Sequence, residues 1–356
     1  MHDVLKPNLG PIPTTESGRS RLGGAIPLQI AGIGGYAPCR VVSNDELAHL
    51  GCDSQWIVQR TGIRERRFAS NEQASSDLAY EAAIDCLQYG GVDAKNVDLL
   101  IVATITPDHS TPSTACLVQQ RLGCISPAMD LSAACSGFVY GLITAAQFIH
   151  SGAVRNALVI GAEVMSRTVS STDVKTYPLF GDGAGAVLLQ PIEPQEDGFA
   201  GGSGPGIIAY TLGSQGDVRM LSTPAGGSRE PLTVAGLEAG RQFMRMDGRD
   251  VFKWAVRCIV DSCRDVMKAA GLTMDDVDQL ILHQANLRII DAAIKDLGIP
   301  RDKAFVNLDR YGNTSAASIP LALNEAVRQG SVARGSLVLL CGFGAGLTWG
   351  TALIRW

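Results

Sequence analysis

The stretch Gly91-Val-Asp-Ala-Lys-Asn-Val-Asp-Leu-Leu-Ile-Val102 decides the fold, because a similar stretch stands 180 residues further along the chain. The second copy reads Gly271-Leu-Thr-Met-Asp-Asp-Val-Asp-Gln-Leu-Ile-Leu282. Each copy has the pattern of a helix end, a turn and a buried strand. Another matching pair, residues 152–160 and 330–339, follows in the same order. This repetition predicts a chain that folds as two similar halves.

Helical patterns alternate with short apolar runs between the repeated segments. The predicted helices cover residues 76–90, 137–150, 250–270 and 318–329. This alternation is typical of an α/β fold whose parallel strands are covered by helices on both faces. We therefore expect halves of residues 25–195 and 196–356, related by a pseudo-twofold axis, after a flexible N-terminal tail of residues 1–24. Ligand-binding residues should follow the carboxyl ends of the strands.

The composition excludes several classes of protein. Of the 356 residues, 46% are hydrophobic and 18% are charged, which indicates a large core and argues against disorder. A net charge of -5 argues against a nucleic acid partner. Nine cysteines without a C-x-x-C pair fit neither a zinc site nor a disulfide framework. The apolar runs are too short to span a bilayer, and residues 1–24 lack the apolar region of a secretory signal. We therefore predict a cytoplasmic protein with no bound metal and no membrane partner.

Cys135 is the candidate nucleophile. It follows the apolar run Ala128–Leu131 and precedes an apolar helical pattern that opens at Gly137. A thiol at a helix N-terminus is expected to favour the thiolate, because free N–H groups and partial positive charge lie nearby. Any one of the other cysteines is more simply interpreted as a buried structural residue.

His283 and Asn313 are the candidate partners of the thiol. His283 directly follows the second repeated strand, where a histidine is well placed for proton or oxyanion chemistry. Asn313 lies in a Gly-Asn turn before another helical pattern, in the same turn-then-helix form as Cys135. Each alone also fits a structural role, as a buried histidine or a turn residue. Together they form a Cys/His/Asn set drawn from the two halves.

Three glycine-rich segments have different interpretations. The run Cys341–Gly350 follows a buried strand and could bring backbone N–H groups close to a ligand. Gly32–Ala37 imitates a dinucleotide-binding motif, but Pro38 follows at once and no helical pattern opens there. Phe180–Ala186 lacks the Lys and Ser/Thr of a phosphate loop.

These segments, taken together over about residues 26–356, resemble those of the β-ketoacyl-acyl carrier protein synthase III family of condensing enzymes. The matching pieces are Trp56–Arg66, the segment around Cys135, Phe180–Ala186, His283–Arg288, Gly312–Ser318 and Phe343–Gly350. The resemblance implies the thiolase fold, with a five-stranded mixed sheet in each half and helices in αβαβα layers. It also implies an acyltransferase of fatty acid biosynthesis that acts as a homodimer.

The resemblance assigns roles to the candidate residues. Cys135 would take an acyl group from an acyl-CoA primer, with the N–H groups of Cys135 and Ala345 as the oxyanion hole. Neutral His283 and Asn313 would bind the thioester oxygen of malonyl-acyl carrier protein while CO2 is lost. The resulting carbanion would attack the acyl-Cys carbonyl to give a 3-oxoacyl-acyl carrier protein. The family needs no cofactor beyond its CoA and carrier-protein substrates.

The resemblance also implies two binding surfaces and one specificity residue. The predicted CoA and pantetheine ligands are Trp56, Arg60, Thr61, Arg167, Asn286 and Phe343. Lys253, Arg288 and Lys295 would meet the acidic carrier protein, although Asp296 stands where some relatives have another Lys. Acetyl-primed relatives carry Phe in place of Thr111, where the partner subunit closes the acyl pocket. The smaller Thr111 predicts primers longer or bulkier than acetyl.

Other functions remain open on the residues alone. A relative from secondary metabolism, of the quinolone-forming or polyketide starter type, would share the Cys/His/Asn set. Hydroxymethylglutaryl-CoA synthase and head-to-head hydrocarbon synthases are disfavoured, because no glutamate base stands at an obvious matching place. Retention of the three residues argues against a catalytically inactive partner subunit.

Overall fold

The computed structural model describes residues 20–192 and 204–356. Its helices are α1 Ser54–Thr61, α2 Ser75–Gly90, α3 Thr114–Leu122, α4 Gly137–His150, α5 Val234–Glu238, α6 Gly248–Ala269, α7 Leu287–Leu297, α8 Leu308–Tyr311 and α9 Ser318–Arg328. Its strands are β1 Ser20–Gly23, β2 Ile26–Pro27, β3 Gln29–Tyr36, β4 Arg40–Ser43, β5 Glu65–Phe68, β6 Leu99–Ala103, β7 Ala128–Leu131, β8 Ala157–Val164, β9 Asp182–Gln190, β10 Gly206–Asp217, β11 Leu221–Ser222, β12 Arg245–Met246, β13 Gln279–Leu282, β14 Leu337–Gly344 and β15 Gly346–Arg355.

The first large sheet has five strands in the order β3-β9-β8-β6-β7. Strand β6 runs parallel to β7 and β8, whereas β9 is antiparallel to β8 and β3. Every residue of β6 and β8 is buried, as expected for strands covered on both faces. The segment that imitates a dinucleotide motif lies in β3, where a Cβ on Gly34 would lie 2.3 Å from the Cys86 backbone nitrogen of α2. Its glycines thus allow a helix to pack closely against the strand.

The second large sheet repeats this arrangement. Its strands β10, β15, β14 and β13 have the order and relative directions of β3, β9, β8 and β6. An isolated parallel bridge between Leu280 and Ala304 stands in the position of β7. The sheet has six strands and not the expected five, because β1 and β2 both pair with β10. The duplication predicted from the sequence is therefore present in the topology.

The N-terminal boundary predicted at residue 24 needs correction. Residues 20–23 form β1, in which Ser20 pairs with Gly213 and Gly23 pairs with Tyr210. Residues 1–19 of the predicted tail lie outside the described residues. The predicted junction of the halves at residues 195 and 196 also falls outside them, within residues 193–203. The division into halves at that point stays a prediction.

Two central helices separate the sheets. Helices α4 and α9 each contact strands of both sheets, whereas α2 and α3 contact the first sheet and α6 contacts the second and packs against α7. The layers are thus helix, sheet, helix, sheet, helix. Phe138 of α4 lies in a buried cluster with Ile101 of the first sheet and Ile281 of the second. The mostly apolar composition of α4 follows from this central position.

The described helices include none that is both long and apolar enough to cross a membrane.

Candidate active site

Cys135 lies at the entrance to a central helix, as predicted. It is the middle residue of the 3-10 turn Ala134–Ser136, which leads directly into α4. Ala134 has a φ of 45°, a left-handed conformation that is costly for a residue with a Cβ. The Ser136 hydroxyl donates to the Ala133 carbonyl at 2.7 Å and stabilises the turn. The thiol is therefore held on a well-defined backbone at a helix N-terminus.

The glycine-rich end of β14 packs against this turn. A Cβ on Gly344 would lie 2.8 Å from the backbone nitrogen of Cys135, and one on Gly342 would lie 2.9 Å from the Cα of Ser136. Such contacts exclude any side chain at either position. Ala345, which follows Gly344, lines the same cavity as Cys135.

His283 directly follows β13 and is almost fully buried. Its backbone N–H donates to the Cys341 carbonyl at 2.8 Å, and its Nδ1 lies 2.6 Å from the Ser318 hydroxyl oxygen. Because that oxygen also accepts the Gln284 N–H, at 3.4 Å, the Ser318 hydroxyl is free to donate to Nδ1. This arrangement favours the tautomer with the proton on Nε2. Burial lowers the pKa of His283 to about 3, so the ring is neutral, as expected.

Asn313 is held by backbone on both sides. Its N–H donates to the Leu179 carbonyl at 2.8 Å, and its own carbonyl accepts the Gly181 N–H at 3.0 Å. Its side-chain oxygen accepts the Ser315 N–H at 2.9 Å, which leaves the amide NH2 group as the free donor. The start of the Phe180–Ala186 segment, which imitates a phosphate loop, thus fixes the backbone of Asn313.

The three side chains line one cavity of about 130 Å³. Ala345, Asn286 and Phe343 line it too, and the Phe343 ring packs edge-to-face on His283 with centroids 5.1 Å apart. The apolar part of the lining includes Ile105, Leu179, Leu221, Met244, Met246 and Leu347. The cavity therefore combines one thiol, two neutral hydrogen-bond donors and an apolar wall.

The expected preference for thiolate is wrong for Cys135 in this cavity. Burial raises the pKa of the thiol to about 12 and outweighs the effect of the Ser315 side chain, which lowers it. The charge of Glu163 raises the pKa further. Desolvation of the charged form thus exceeds the stabilisation expected from the helix end.

The predicted CoA ligands divide into two groups. The Arg60 guanidinium stacks over the Trp56 ring at 4.1 Å, and Asn286 Nδ2 donates to the Arg60 carbonyl at 3.1 Å. Because Asn286 also lines the cavity, these residues form a connected group at its edge. The Thr61 hydroxyl, in contrast, donates to the Ile57 carbonyl and accepts the Ile63 N–H. Both hydrogen bonds of the buried Thr61 hydroxyl are therefore made to the backbone of its own segment of the chain.

Arg167 is not among the residues that line the cavity of Cys135. Its guanidinium donates to the carbonyls of Ser70 and Gln73, each at 2.7 Å, and it lines a separate cavity with Asp108 and Thr168. The arginine therefore braces the turn at residues 70–73, and its contact with CoA stays a prediction.

The predicted carrier-protein residues are exposed on two neighbouring helices. Lys253 of α6 is exposed, as are Arg288 and Lys295 of α7, and the two helices pack against each other. The Arg288 guanidinium lies 6.0 Å from the centre of the Phe252 ring, a residue that lines the cavity. Thr111 is also exposed, and it is not among the residues lining the cavity that contains Cys135. A role in the acyl pocket would therefore require a second subunit.

Sequence reasoning did not single out Glu163. This carboxylate is fully buried near the end of β8 and accepts a hydrogen bond from the Ser315 hydroxyl at 2.9 Å. The available signal was one carboxylate in the otherwise apolar run Ala157–Val164. Its partner is 152 residues away, which no local pattern shows.

Comparison with known proteins identifies the family. A model described as 3-oxoacyl-(acyl-carrier-protein) synthase III matches residues 129–216, and one described as the C terminal of that enzyme matches residues 267–356. A beta-ketoacyl-(acyl-carrier-protein) synthase III of Rhodopirellula baltica is 57% identical over 339 residues, which are 92% of this chain and 98% of that protein.

Solved structures agree in fold. The 3-oxoacyl-(acyl-carrier-protein) synthase III of Aquifex aeolicus has a TM-score of 0.83 and 42% identity, covering 92% of this chain and all of that one. The priming beta-ketosynthase of the R1128 polyketide pathway has a TM-score of 0.82 and 34% identity, covering 98% of each chain. The predicted thiolase fold is confirmed, and the chain belongs to the 3-oxoacyl-(acyl-carrier-protein) synthase III family.

Proposed function

We propose that this chain is an acyltransferase that condenses an acyl-CoA primer with malonyl-acyl carrier protein to give 3-oxoacyl-acyl carrier protein, CoA and CO2. This reaction initiates type II fatty acid synthesis. The observation that carries the proposal is the single cavity lined by Cys135, His283 and Asn313. The 57% identity with a beta-ketoacyl-(acyl-carrier-protein) synthase III supports it.

The first step is acyl transfer to Cys135. The sulfur attacks the thioester carbonyl of the primer, the bond to the CoA sulfur breaks, and the thiol proton leaves with CoA. The tetrahedral oxyanion accepts hydrogen bonds from the N–H groups of Cys135 and Ala345. The close approach of Gly344 to the backbone of Cys135 supports this pairing, because Ala345 follows Gly344 and lines the same cavity as Cys135.

The second step is decarboxylation and carbon–carbon bond formation. The bond to the malonyl carboxylate breaks and CO2 leaves, while His283 Nε2 and the Asn313 amide donate to the thioester oxygen. The electron pair then forms a bond to the acyl carbonyl of Cys135, whose sulfur leaves and takes up a proton. Two neutral donors suit this step, because they stabilise an enolate without a charge that must be desolvated.

The substrates reach the cavity from the surface that carries the predicted ligands. We assign the stacked Trp56 and Arg60, together with Asn286, to CoA and the pantetheine arm. Lys253, Arg288 and Lys295 are assigned to the carrier protein, which is acidic in this family. No cofactor is needed by this scheme, and the cytoplasmic location stays a prediction.

A homodimer completes the proposed acyl pocket. Strand β7 lies at the end of the strand order of its sheet, and an edge strand is free to pair with another chain. Met129 of this strand is 38% exposed, and the nearby Ile125 is 94% exposed, which suits a covered surface. Light scattering of the purified protein should give the mass of two chains.

The residue at position 111 should set primer length. We expect turnover with butyryl-CoA and octanoyl-CoA to be comparable with that of acetyl-CoA, and Thr111→Phe to lower octanoyl turnover about tenfold relative to acetyl, because a larger side chain fills the pocket. Steady-state rates with the three primers measure this preference. A steep fall in wild-type turnover from acetyl to octanoyl would contradict it.

The defining experiment combines purified protein, acyl-CoA primers of two to eight carbons and malonyl-acyl carrier protein. Mass spectrometry should detect an acyl group on Cys135 and then the 3-oxoacyl carrier protein. Absence of the 3-oxoacyl product with every primer would overturn the proposed function.

A polyketide starter synthase is the second candidate. The 34% identity over 98% of the R1128 priming ketosynthase favours this alternative more than other departures from fatty acid synthesis. Offering carrier proteins of fatty acid and polyketide type in competition separates the two functions. Preference for the polyketide carrier would select the second.

A further inference from the structure

Glu163 is a buried carboxylate with no part in the steps above. Its oxygens accept hydrogen bonds from the hydroxyls of Ser315 at 2.9 Å, Thr104 at 3.1 Å and Thr106 at 2.7 Å, and from the Ile105 N–H at 3.1 Å. All four donors are neutral. Burial raises the pKa of Glu163 to about 7, and these bonds lower it only in part. Such a group costs folding free energy, so its place in the fold needs an explanation beyond stability.

Ser315 connects this carboxylate to the reacting residues. Its φ of 49° is left-handed, and its N–H donates to the side-chain oxygen of Asn313. Its hydroxyl donates to Glu163. The Ser315 side chain also lowers the pKa of the Cys135 thiol, against the larger effect of burial. Ser315 therefore lies between Glu163 on one side and Cys135 and Asn313 on the other.

The anchoring of Ser315 decides which way the Asn313 amide faces. If the Ser315 N–H moved, the Asn313 oxygen would lose its partner and the amide could turn over, presenting an acceptor to the thioester oxygen. An acceptor there would repel the developing enolate. Because Thr104, Ile105 and Thr106 hold the other oxygen of Glu163, the carboxylate cannot follow such a movement of Ser315.

We propose that Glu163 is a positioning residue for the condensation step: it anchors Ser315, and Ser315 in turn fixes the Asn313 amide with its NH2 group toward the cavity. This inference rests on the proposed function of the cavity. It assigns to Glu163 no contact with either substrate.

The test compares Glu163→Gln, Ser315→Ala and the double variant. We expect each single variant to lower kcat for condensation at least tenfold, with the KM for malonyl-acyl carrier protein changed less than threefold. Acylation of Cys135 by the primer, followed by intact-protein mass, should be slowed much less than condensation in both single variants. Because the two residues act as one unit, the double variant should be no slower than the slower single variant.

Asp98→Asn is the matched control. The Asp98 carboxylate accepts hydrogen bonds from the N–H groups of Arg155 and Asn156, each at 2.9 Å. Asp98 directly precedes β6, whereas Thr104 directly follows it. This variant removes the charge of a carboxylate that binds backbone N–H groups, and it leaves Ser315 and its contacts unchanged. Condensation should stay within twofold of the wild-type rate.

The pH dependence of thiol alkylation is a second readout. Removal of the negative charge in Glu163→Gln should shift the alkylation midpoint of Cys135 to lower pH, because the charge raises the pKa of the thiol. The groups that contact the Glu163 carboxylate are the three hydroxyls and the Ile105 N–H, and Cys135 is the titratable group affected. In Asp98→Asn the midpoint should match the wild type.

Three results would overturn the inference. The first is a wild-type condensation rate in both single variants. The second is a double variant whose condensation rate falls by the product of the two single effects. The third is an acylation rate that falls as much as the condensation rate. If Glu163→Gln does not fold, Ser315→Ala alone still decides: wild-type condensation in this variant, or acylation slowed as much as condensation, would overturn the inference. A wild-type protein that becomes acylated but forms no 3-oxoacyl product would instead overturn the proposed function.

Discussion

Two junctions of the molecule share a backbone and differ in chemistry. The turn Ala134–Ser136 leads into α4, and the turn Ser315–Ala317 leads into α9. Each turn opens with a left-handed residue, at φ 45° and 49°. The first junction presents the thiol, whereas the second presents a hydroxyl and orients Asn313. The two halves thus share the backbone conformation of this turn, whereas their side chains serve different purposes.

Each junction is faced by a strand of the opposite half. A Cβ on Gly342 would lie 3.3 Å from the Cys135 carbonyl oxygen, and one on Gly161 would lie 2.3 Å from that of Ala316. These glycines occupy equivalent positions of β14 and β8 in the sheet registers. Two residues further along each strand, the halves diverge.

That divergence separates the two reaction steps. Gly344 packs closely against Cys135 of the first junction, whereas the Glu163 carboxylate accepts a hydrogen bond from Ser315 of the second. A carboxylate at the position of Gly344 would oppose the oxyanion of acyl transfer. The Glu163 carboxylate, in contrast, is separated from the reacting atoms by the Ser315 hydroxyl.

The largest effect should come from removing the reactive atom of the first junction. Cys135→Ala should lower overall turnover by at least about 10⁴-fold, because no other group can carry the acyl chain. Intact-protein mass after incubation with acyl-CoA should show no adduct. Comparable labelling of the variant would mean that another residue is the nucleophile.

The second junction and its neighbouring histidine should affect only the later step. Asn313→Ala and His283→Ala should lower condensation by about 10²- to 10³-fold, the usual cost of one oxyanion donor, while the acyl-enzyme still forms. Single-turnover measurements separate the steps. Condensation at the wild-type rate in either variant would remove that residue from the mechanism.

The carboxylate behind the second junction should leave a signature in stability. The pKa of Glu163 is raised from 4.5 to about 7, so the unfolded chain ionises first as pH rises. The free energy of unfolding should therefore fall by up to about 3 kcal/mol between about pH 4.5 and pH 7. Denaturant unfolding at pH 5 and pH 7.5 should show this fall reduced in Glu163→Gln. An unchanged difference between the two pH values would show that Glu163 ionises normally in the fold.

The smallest effect tests the shared backbone. Ala134→Gly should raise the free energy of unfolding by about 1 kcal/mol, because glycine adopts a positive φ without strain. Ser315→Gly should not give this gain, since it also removes the hydroxyl bond to Glu163. Thermal unfolding of both variants measures the difference. Equal gains would mean that the Ser315 hydroxyl contributes nothing to stability.

Most of the site was predictable from local pattern. The repeats at residues 91–102 and 271–282 predicted the strands β6 and β13, and the residues after the strands led to His283 and Cys135. Helix α2 begins at Ser75, one residue before its predicted start. The extra strands of the second sheet were not predictable, because β1 pairs with residues about 190 positions away.

The sequence by itself determined the doubled α/β fold and the residue types of the Cys/His/Asn set, because hydrophobic periodicity and turn residues are local properties. The tertiary structure alone decided the neutral state of His283, the high pKa of the Cys135 thiol and the link from Glu163 to Ser315. Each depends on desolvation or on a contact between the halves, and both exist only once the two sheets have closed around α4 and α9.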